Sequence, residues 1–535
     1  MSDAPAGSGA LPAAETLRRR LVERMRLSPT AWSVDGAVFA FRASHGDDLP
    51  TGGYVVIDVG TDAGAGVGRA RRRVVGQVHE RHEERAPVGT FSLDWGALGE
   101  AGDELAGVVQ GVEVALPVRV VSGAGTVLAA VAEDGTVDPR PPAVGFADAD
   151  LAPAPDDLVE QVLAARRGGA PTLALGRLVT APEREAPLRA KGITRHTFLC
   201  GQSGSGKTYA TGVLLERVLL QTDLPLLVLD PNSDHVHLGR LRDDAPADDA
   251  ERARHGREAG RVRVASRGGS PPLRGWFSDL APTEQALVLG LDPVGDLEEH
   301  HALLQVVAGL PSRHGVSDVR EAAVASATEE GRRLALRIDN LGLAGWSLWA
   351  DPADDPLAGL DDDRRALVLD LGSLAEPRER AVAALMVLGR LRRRPERRPV
   401  LVVVDEAHTF CPPTSPDPVV AATTSHLVWL AGEGRKYGLH LLVVSQRPAK
   451  VHPDVVSQCD NLVLMRLNGE RDAAALLESF SHVPAGLVAL APSLRQGQAV
   501  VAGPLAGDPL LLQVRDRLTP EGGADLPTDW LRPGP

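Results

Sequence analysis

The run GQSGSGKT, from Gly201 to Thr208, has the spacing G-x-x-x-x-G-K-[ST]. Glycines at those positions let a loop fold tightly enough for backbone N–H groups to surround phosphate oxygens. The apolar segment HTFLC precedes the loop and the helix-compatible YATGVLLERVLL follows it, so a bound phosphate would also meet a helix N-terminus. This reading assigns Gly201, Gln202, Ser203, Gly204, Ser205, Gly206, Lys207 and Thr208 to a nucleotide polyphosphate. Lys207 would reach the β- and γ-phosphates, and the Thr208 hydroxyl would hold Mg²⁺. Lysine otherwise occurs only at Lys191, Lys436 and Lys450 among 57 basic residues. Lys207 therefore marks a place where a compact ammonium serves and a planar guanidinium does not.

Three further segments end apolar runs with polar groups. In PVLVVVDEAH, Asp405 and Glu406 close a continuous Val/Leu stretch. Ligands of an open parallel sheet gather at the carboxyl ends of its strands, which brings both acids toward the phosphate loop. Asp405 is then a ligand for Mg²⁺, and Glu406 is placed to orient and deprotonate an attacking water. In LHLLVVSQRP, Ser445 and Gln446 end another such run, and Gln446 can hydrogen-bond the γ-phosphate or the water. In LVLDPNSDHVHL, Asp230 and Asp234 can support the metal or contact the nucleotide, or simply belong to a polar loop. The turn GEGRKYG, Gly432 to Gly438, presents Arg435 either as a surface residue or as a finger acting on nucleotide held by a neighbouring subunit. Other patterns carry less: HERHE near His79 lacks the HExxH spacing, and the arginines of RLRRRPERR, ending at Arg398, read first as a solvated face.

The elements that must position these residues are α/β. HTFLC, LPLLVLD, RALVLDL, RPVLVVVD and LHLLVVSQ alternate with helical patterns, as expected for parallel strands buried on both faces. The stretch 238–363 interrupts the alternation and reads as a helical insertion. It comprises an Arg-rich loop followed by helices near Glu284–Leu289, Leu297–Leu310 and Val316–Leu341. Before these strands, short alternating runs broken by Gly and Asp predict a small β-barrel or sandwich over 28–135. Residues 1–27 read as a short Arg-rich helical segment, 136–170 as a linker and helix, 171–520 as the P-loop domain and 521–535 as a flexible tail.

Composition narrows the class. With 43% hydrophobic and 24% charged residues in 535, the chain has the balance of an ordinary globular protein. No apolar run approaches the ~20 residues that cross a bilayer. The N-terminus lacks a secretory core, so a cytoplasmic location without membrane attachment is expected. Cys200, Cys411 and Cys459 are too scattered for a disulfide framework or a structural zinc site. The net charge of -14 weighs against nonspecific coating of DNA but leaves room for basic residues confined to a channel wall.

Taken in order, GQSGSGKT, LVLDPNSD, VVVDEAH, GEGRKYGLHLLVVSQRP and VHPDVVSQCDNLVLMRLNGERD resemble the HerA family of the HerA–FtsK superfamily of P-loop NTPases. The resemblance is motif-specific over Leu175 to Val514 and textural before it. It implies a RecA-like P-loop motor with a mostly parallel sheet behind an N-terminal β-barrel. It also implies an ATP- and Mg²⁺-dependent hydrolase that threads duplex DNA through a hexameric ring coupled to a nuclease partner of the NurA type. By motif, Lys207 and Thr208 bind phosphate and Mg²⁺, Asp405 and Glu406 serve metal and water, Gln446 senses the γ-phosphate, and Arg435 matches the family's finger. After LVLDP the family carries a His-Gly-Glu-Tyr-like run, whereas this chain has NSDH with Asp234 in the acidic position. A second reading is a nucleotide-dependent ring scaffold that activates an effector without processive movement. An ABC-type transport ATPase is excluded by the lack of an LSGGQ-like run before DEAH.

Overall fold

In the computed structural model, which describes residues 28–59, 72–86, 118–140, 144–349, 365–394 and 397–523, the chain divides into two units. These are Met1–Gly168 with Pro484–Leu487, and Gly169–Val483 with Val488–Pro535. The helix expected within 1–27 and nearly all of the tail beyond 521 lie outside the described residues.

The first unit contains β1 (Thr30–Ser33), β2 (Val38–Ser44), β3 (Tyr54–Val59), β4 (Arg72–Ala86), β5 (Val118–Val131), β6 (Val137–Asp138) and β7 (Phe146–Pro153). Six strands close in the order β2-β1-β7-β3-β4-β5, because β2 also pairs antiparallel with β5. Alternate residues point inward, so Phe39, Phe41, Ile57, Val74, Val78 and Leu151 make a continuous core. The barrel expectation is met, with one correction. The Pro/Ala/Asp-rich stretch read as a linker supplies β7, which sits between β1 and β3. Its composition hid an edge-free strand whose buried residues Phe146, Ala149 and Leu151 face the core. Helix α1 (Asp156–Arg167) follows.

In the second unit, β8 (Thr172–Leu173) pairs with β10 (Leu188–Arg189). The main sheet contains β9 (Gly176–Leu178), β11 (Thr197–Cys200), β12 (Leu226–Asp230), β13 (Val262–Ala265), β14 (Ala366–Asp370), β15 (Val400–Val404), β16 (Leu439–Ser445), β17 (Asn461–Leu464), β18 (Gln498–Ala502) and β19 (Leu510–Val514). Its order is β13-β14-β12-β15-β16-β11-β17-β18-β19-β9. Pairing is parallel from β13 to β17 and antiparallel beyond. Every residue of β11, β12, β14 and β15 is buried, as their unbroken apolar runs require once helices cover both faces.

Helices α2 (Lys207–Gln221), α3 (Asp249–Ala259), α4 (Pro282–Val288), α5 (Leu297–Gly309), α6 (Val316–Ala325), α7 (Glu329–Asn340), α8 (Pro377–Arg393), α9 (Pro418–Glu433), α10 (Pro453–Val456) and α11 (Glu470–Ser479) complete the unit. The stretch 238–363 is not a wholly helical insertion. The segment read as an Arg-rich loop forms α3 and β13, and β13 is the edge strand of the sheet. The expected Val316–Leu341 helix is two helices. Ala327 takes a φ of 51° between them, and the Thr328 hydroxyl caps α7 by accepting from the Gly331 N–H at 3.1 Å.

Candidate nucleotide-hydrolysis site

The phosphate loop joins β11 to α2. Gly204 and Gly206 have φ of 73° and 89°, conformations that a side chain would strain. Gly206 caps α2, which opens on Lys207 and Thr208. The loop is held from the β17 side. Gln202 donates its N–H to the Arg466 carbonyl at 2.9 Å, and Arg466 Nη2 donates to the Gly204 carbonyl at 2.8 Å.

β15 ends beside it. Lys207 Nζ lies 3.0 Å from Glu406 Oε1 and 3.6 Å from Asp405 Oδ1, with all three side chains buried. Burial opposes charge on Lys207, but the Asp405 and Glu406 carboxylates outweigh it and raise its pKa above the ordinary value. Glu406 Oε1 also accepts from the Gln446 amide at the end of β16, and His408 Nδ1 is 3.3 Å from Glu406 Oε2. Glu406 adopts a left-handed backbone with φ of 44°, a strained conformation for a residue with a side chain and one that clusters at functional positions. A cavity of about 650 Å³ opens onto Glu406, His408 and Gln446, giving a water access to the carboxylate.

Asp230 closes β12, and both of its carboxylate oxygens accept backbone N–H groups, from Asp234 at 3.0 Å and His235 at 2.8 Å. Carboxylate oxygens of Asp230, Asp234 and Asp405 lie within 4.8 Å of one another. His235 is fully buried with Nε2 3.5 Å from Asp405 Oδ2. Asp405 Oδ2 and Glu406 Oε2 are buried and face only the His235 and His408 imidazoles. Buried carboxylate oxygens gathered beside the start of α2 fit a divalent cation. Burial tends to raise the pKa of Asp405, but His235 and Lys207 hold it down to about 2. Burial and the Asp405 charge push Asp234 up to about 6.

The raised Asp234 has a measurable consequence. An acid whose folded pKa exceeds its unfolded value supports the fold below the unfolded pKa and withdraws that support as pH rises through the folded one. Asp234→Asn is therefore expected to raise the melting temperature of metal-free protein at pH 7.5 by roughly 2 °C. The gain should vanish by pH 4, and thermal melts at the two pH values test it.

The structure thus brings Lys207, Asp405, Glu406 and Gln446 together and places Asp230 and Asp234 beside them. It does not bring Arg435 there. Arg435 lies on the 3₁₀ turn Gly434–Tyr437 before β16, whereas Gln446 follows the far end of that strand. Seven residues of strand separate the two by roughly 20 Å. Three contacts escaped the sequence reading. His408 stood inside the DEAH run and His235 inside NSDH, so both were visible; Arg466, after β17, had only its place in a matching segment as a signal.

A glycine-rich loop between a central parallel strand and a helix, opposed by acids ending a strand one place further along the sheet, defines a P-loop NTPase. Residues 173–310 match the family described as "Helicase HerA, central domain". A "Probable DNA double-strand break repair helicase HerA" of Methanocaldococcus jannaschii is 33% identical over 132 residues, 24% of this chain and 25% of that protein. A "DNA double-strand break repair helicase HerA" of Pyrococcus furiosus is 33% identical over 116 residues, 22% and 20% of the two chains. The match thus spans about a quarter or less of these curated relatives. Among solved structures, VirB4 of Thermoanaerobacter pseudethanolicus aligns at 19% identity over 65% of this chain and 96% of that one, with a TM-score of 0.47, a likeness too loose to bear on function. Over that stretch the chain is similar to HerA helicases. No helix among the described residues is long and apolar enough to cross a membrane.

Proposed function

We propose that this chain hydrolyses ATP between subunits of a ring, a hexamer as in the HerA reading, and uses the turnover to move along duplex DNA. The observation that carries the reading is the convergence of Lys207 Nζ and the Gln446 amide on one carboxylate oxygen of Glu406. In that arrangement Lys207 already neutralises the acid pair. Nucleotide phosphates would draw it away, leaving Glu406 free to accept a proton from water. Gln446 orients that water or contacts the γ-phosphate, and backbone N–H groups of Gly201–Thr208 cradle the phosphates. Thr208 and Asp405 would hold Mg²⁺, which neutralises charge developing on the transferred phosphoryl group.

Arg435 is too far along β16 to serve its own subunit's nucleotide, which supports a role as a finger on the neighbour's. The DNA substrate rests on the names of the relatives, and a NurA-like nuclease partner rests on the family resemblance. A location in the cytoplasm follows the same reading.

The test is ATP turnover by purified protein with and without linear duplex DNA. Stimulation by DNA is expected. The logarithm of DNA affinity should fall linearly with the logarithm of salt concentration, with a slope near -0.9 per phosphate contacted. Turnover indifferent to DNA at every salt concentration would favour a ring scaffold that activates a partner effector.

A further inference from the structure

The two cations at the phosphate loop differ in what answers their charge. Lys207 Nζ lies 3.6 Å from Asp405 and 3.0 Å from Glu406. Arg466 stands just past β17, on the opposite side of β11 from β15 and β16. Its side chain is half-buried and its Nε is buried without a hydrogen-bond acceptor. Among the described residues no carboxylate forms an ion pair with it. Elsewhere in the same unit Arg217 lies 2.6 Å from Glu251, and Arg337 lies 2.8 Å from Glu299. An unanswered guanidinium is unusual on a chain whose net charge is -14, and it adds a positive field where a polyphosphate must arrive.

Its contacts define what it does to the loop. Arg466 Nη2 donates to the Gly204 carbonyl at 2.8 Å, and the Arg466 carbonyl accepts from the Gln202 N–H at 2.9 Å. The Asn468 N–H donates to Gln202 Oε1 at 3.1 Å. On the other flank, the Gly497 N–H donates to the Ser205 carbonyl at 2.9 Å. For loop N–H groups to face a phosphate, the carbonyls between them turn outward and need donors of their own. A charged donor on the Gly204 carbonyl also polarises that peptide, which strengthens the Ser205 N–H on its other side. Glycines leave the loop with much freedom to lose on ordering, and a clasp formed before nucleotide arrives reduces that loss.

We propose that Arg466 is a positioning residue for nucleotide binding. It holds the phosphate loop in its anion-accepting shape and supplies the fixed positive charge that Lys207, paired with its acids, does not. The inference rests on the hydrolysis-site reading above. Arg466 acts through the loop backbone, which cradles phosphates common to ADP and ATP. It therefore sets the affinity for both nucleotides and leaves the chemical step to Glu406.

The test is equilibrium binding of ADP and of a non-hydrolysable ATP analogue to the full chain, with steady-state turnover alongside, for wild type, Arg466→Met and Arg466→Lys. Methionine removes the charge and the donors, whereas lysine keeps a charge that can still reach the Gly204 carbonyl. Arg466→Met is expected to weaken both nucleotides about tenfold or more, the scale of a lost charge-assisted hydrogen bond. It should raise KM more than it lowers kcat. Arg466→Lys should recover part of the affinity. The wild-type advantage over Arg466→Met should shrink as salt is raised, because salt screens charge and leaves shape untouched. Affinities equal to wild type in Arg466→Met overturn the proposal. So does a loss that Arg466→Lys does not relieve and salt does not change, which makes the side chain a packing element alone. A loss confined to the ATP analogue also overturns the positioning role and makes Arg466 a direct γ-phosphate contact. A wild type that binds neither nucleotide sinks the hydrolysis-site reading itself, a different result from binding that ignores Arg466.

Discussion

Glu406→Gln is expected to lower ATP turnover by about 10²–10⁴-fold, the usual contribution of a positioned general base, while leaving nucleotide affinity within a few-fold. Glutamine keeps the length and shape of the side chain and can still accept from Lys207 or Gln446 through its carbonyl oxygen. It cannot take a proton from water. The site offers Glu406 no substitute: Asp405 is next in sequence, but its oxygens face Lys207 and His235. The left-handed backbone at Glu406 should persist, since it is set by the turn leaving β15, where the Thr409 N–H donates to the Glu406 carbonyl at 2.9 Å. Steady-state turnover and equilibrium binding of a fluorescent nucleotide, measured together, check both halves. A variant that turns over within tenfold of wild type removes Glu406 from the role of base, and a variant that no longer binds nucleotide shows that the carboxylate holds the loop together instead.

A second large effect is expected in stability. Glu216 on α2 is fully buried and accepts from the N–H of Leu518 at 3.0 Å, the N–H of Thr519 at 2.8 Å and the Thr519 hydroxyl at 2.7 Å. The buried guanidinium groups of Arg217 and Arg517 are each 3.9 Å from its carboxylate. Arg517 also donates to the Asp234 carbonyl at 3.2 Å, and its own N–H donates to the Tyr209 hydroxyl at 2.6 Å. It fits across α2 because residue 212 is glycine; a Cβ there would lie 2.5 Å from the guanidinium.

Glu216→Ala leaves two buried cations and three donors without this acceptor, a change that costs about 3–5 kcal/mol in comparable buried pairs. Melting of the motor unit should fall on the order of 10 °C. Because Arg517 also holds the loop carrying Asp234, turnover should decline with temperature earlier than in wild type. Calorimetry checks the first expectation and turnover against temperature the second. A melting temperature within 2 °C of wild type would mean that the C-terminal segment is not clasped to α2 by this carboxylate.

Much of the chemistry was legible in the chain because its signals are local. A phosphate loop needs glycines, a lysine and a hydroxyl at fixed offsets, and a strand buried on both faces needs an unbroken apolar run. GQSGSGKT and VLVVVDEAH therefore announced themselves, and so did the strands that carry them. The barrel was legible through alternation, although proline and alanine disguised β7 as a linker. Strand β13 was missed for a related reason: Val262–Ala265 is an edge strand of alternating Val and Arg, and an edge strand has one neighbour and so a weaker demand for apolar residues.

What only the tertiary structure decided are relations between distant segments. Glu406 meets Lys207 across 199 positions, and Leu518 reaches Glu216 across 302. Arg397 comes to rest over Tyr437 although the two belong to separate motifs. Residue spacing along one element sets which groups share a strand end or a helix face, because backbone geometry is local. Which strand end faces which helix start depends on strand order, and the order β12-β15-β16-β11 is chosen by how whole faces pack. The sequence by itself therefore marked Gly201–Thr208 and Asp405–Glu406 as the residues of the proposed phosphate chemistry. Packing alone decided that Lys207 meets Glu406 and that Arg397 rests over Tyr437.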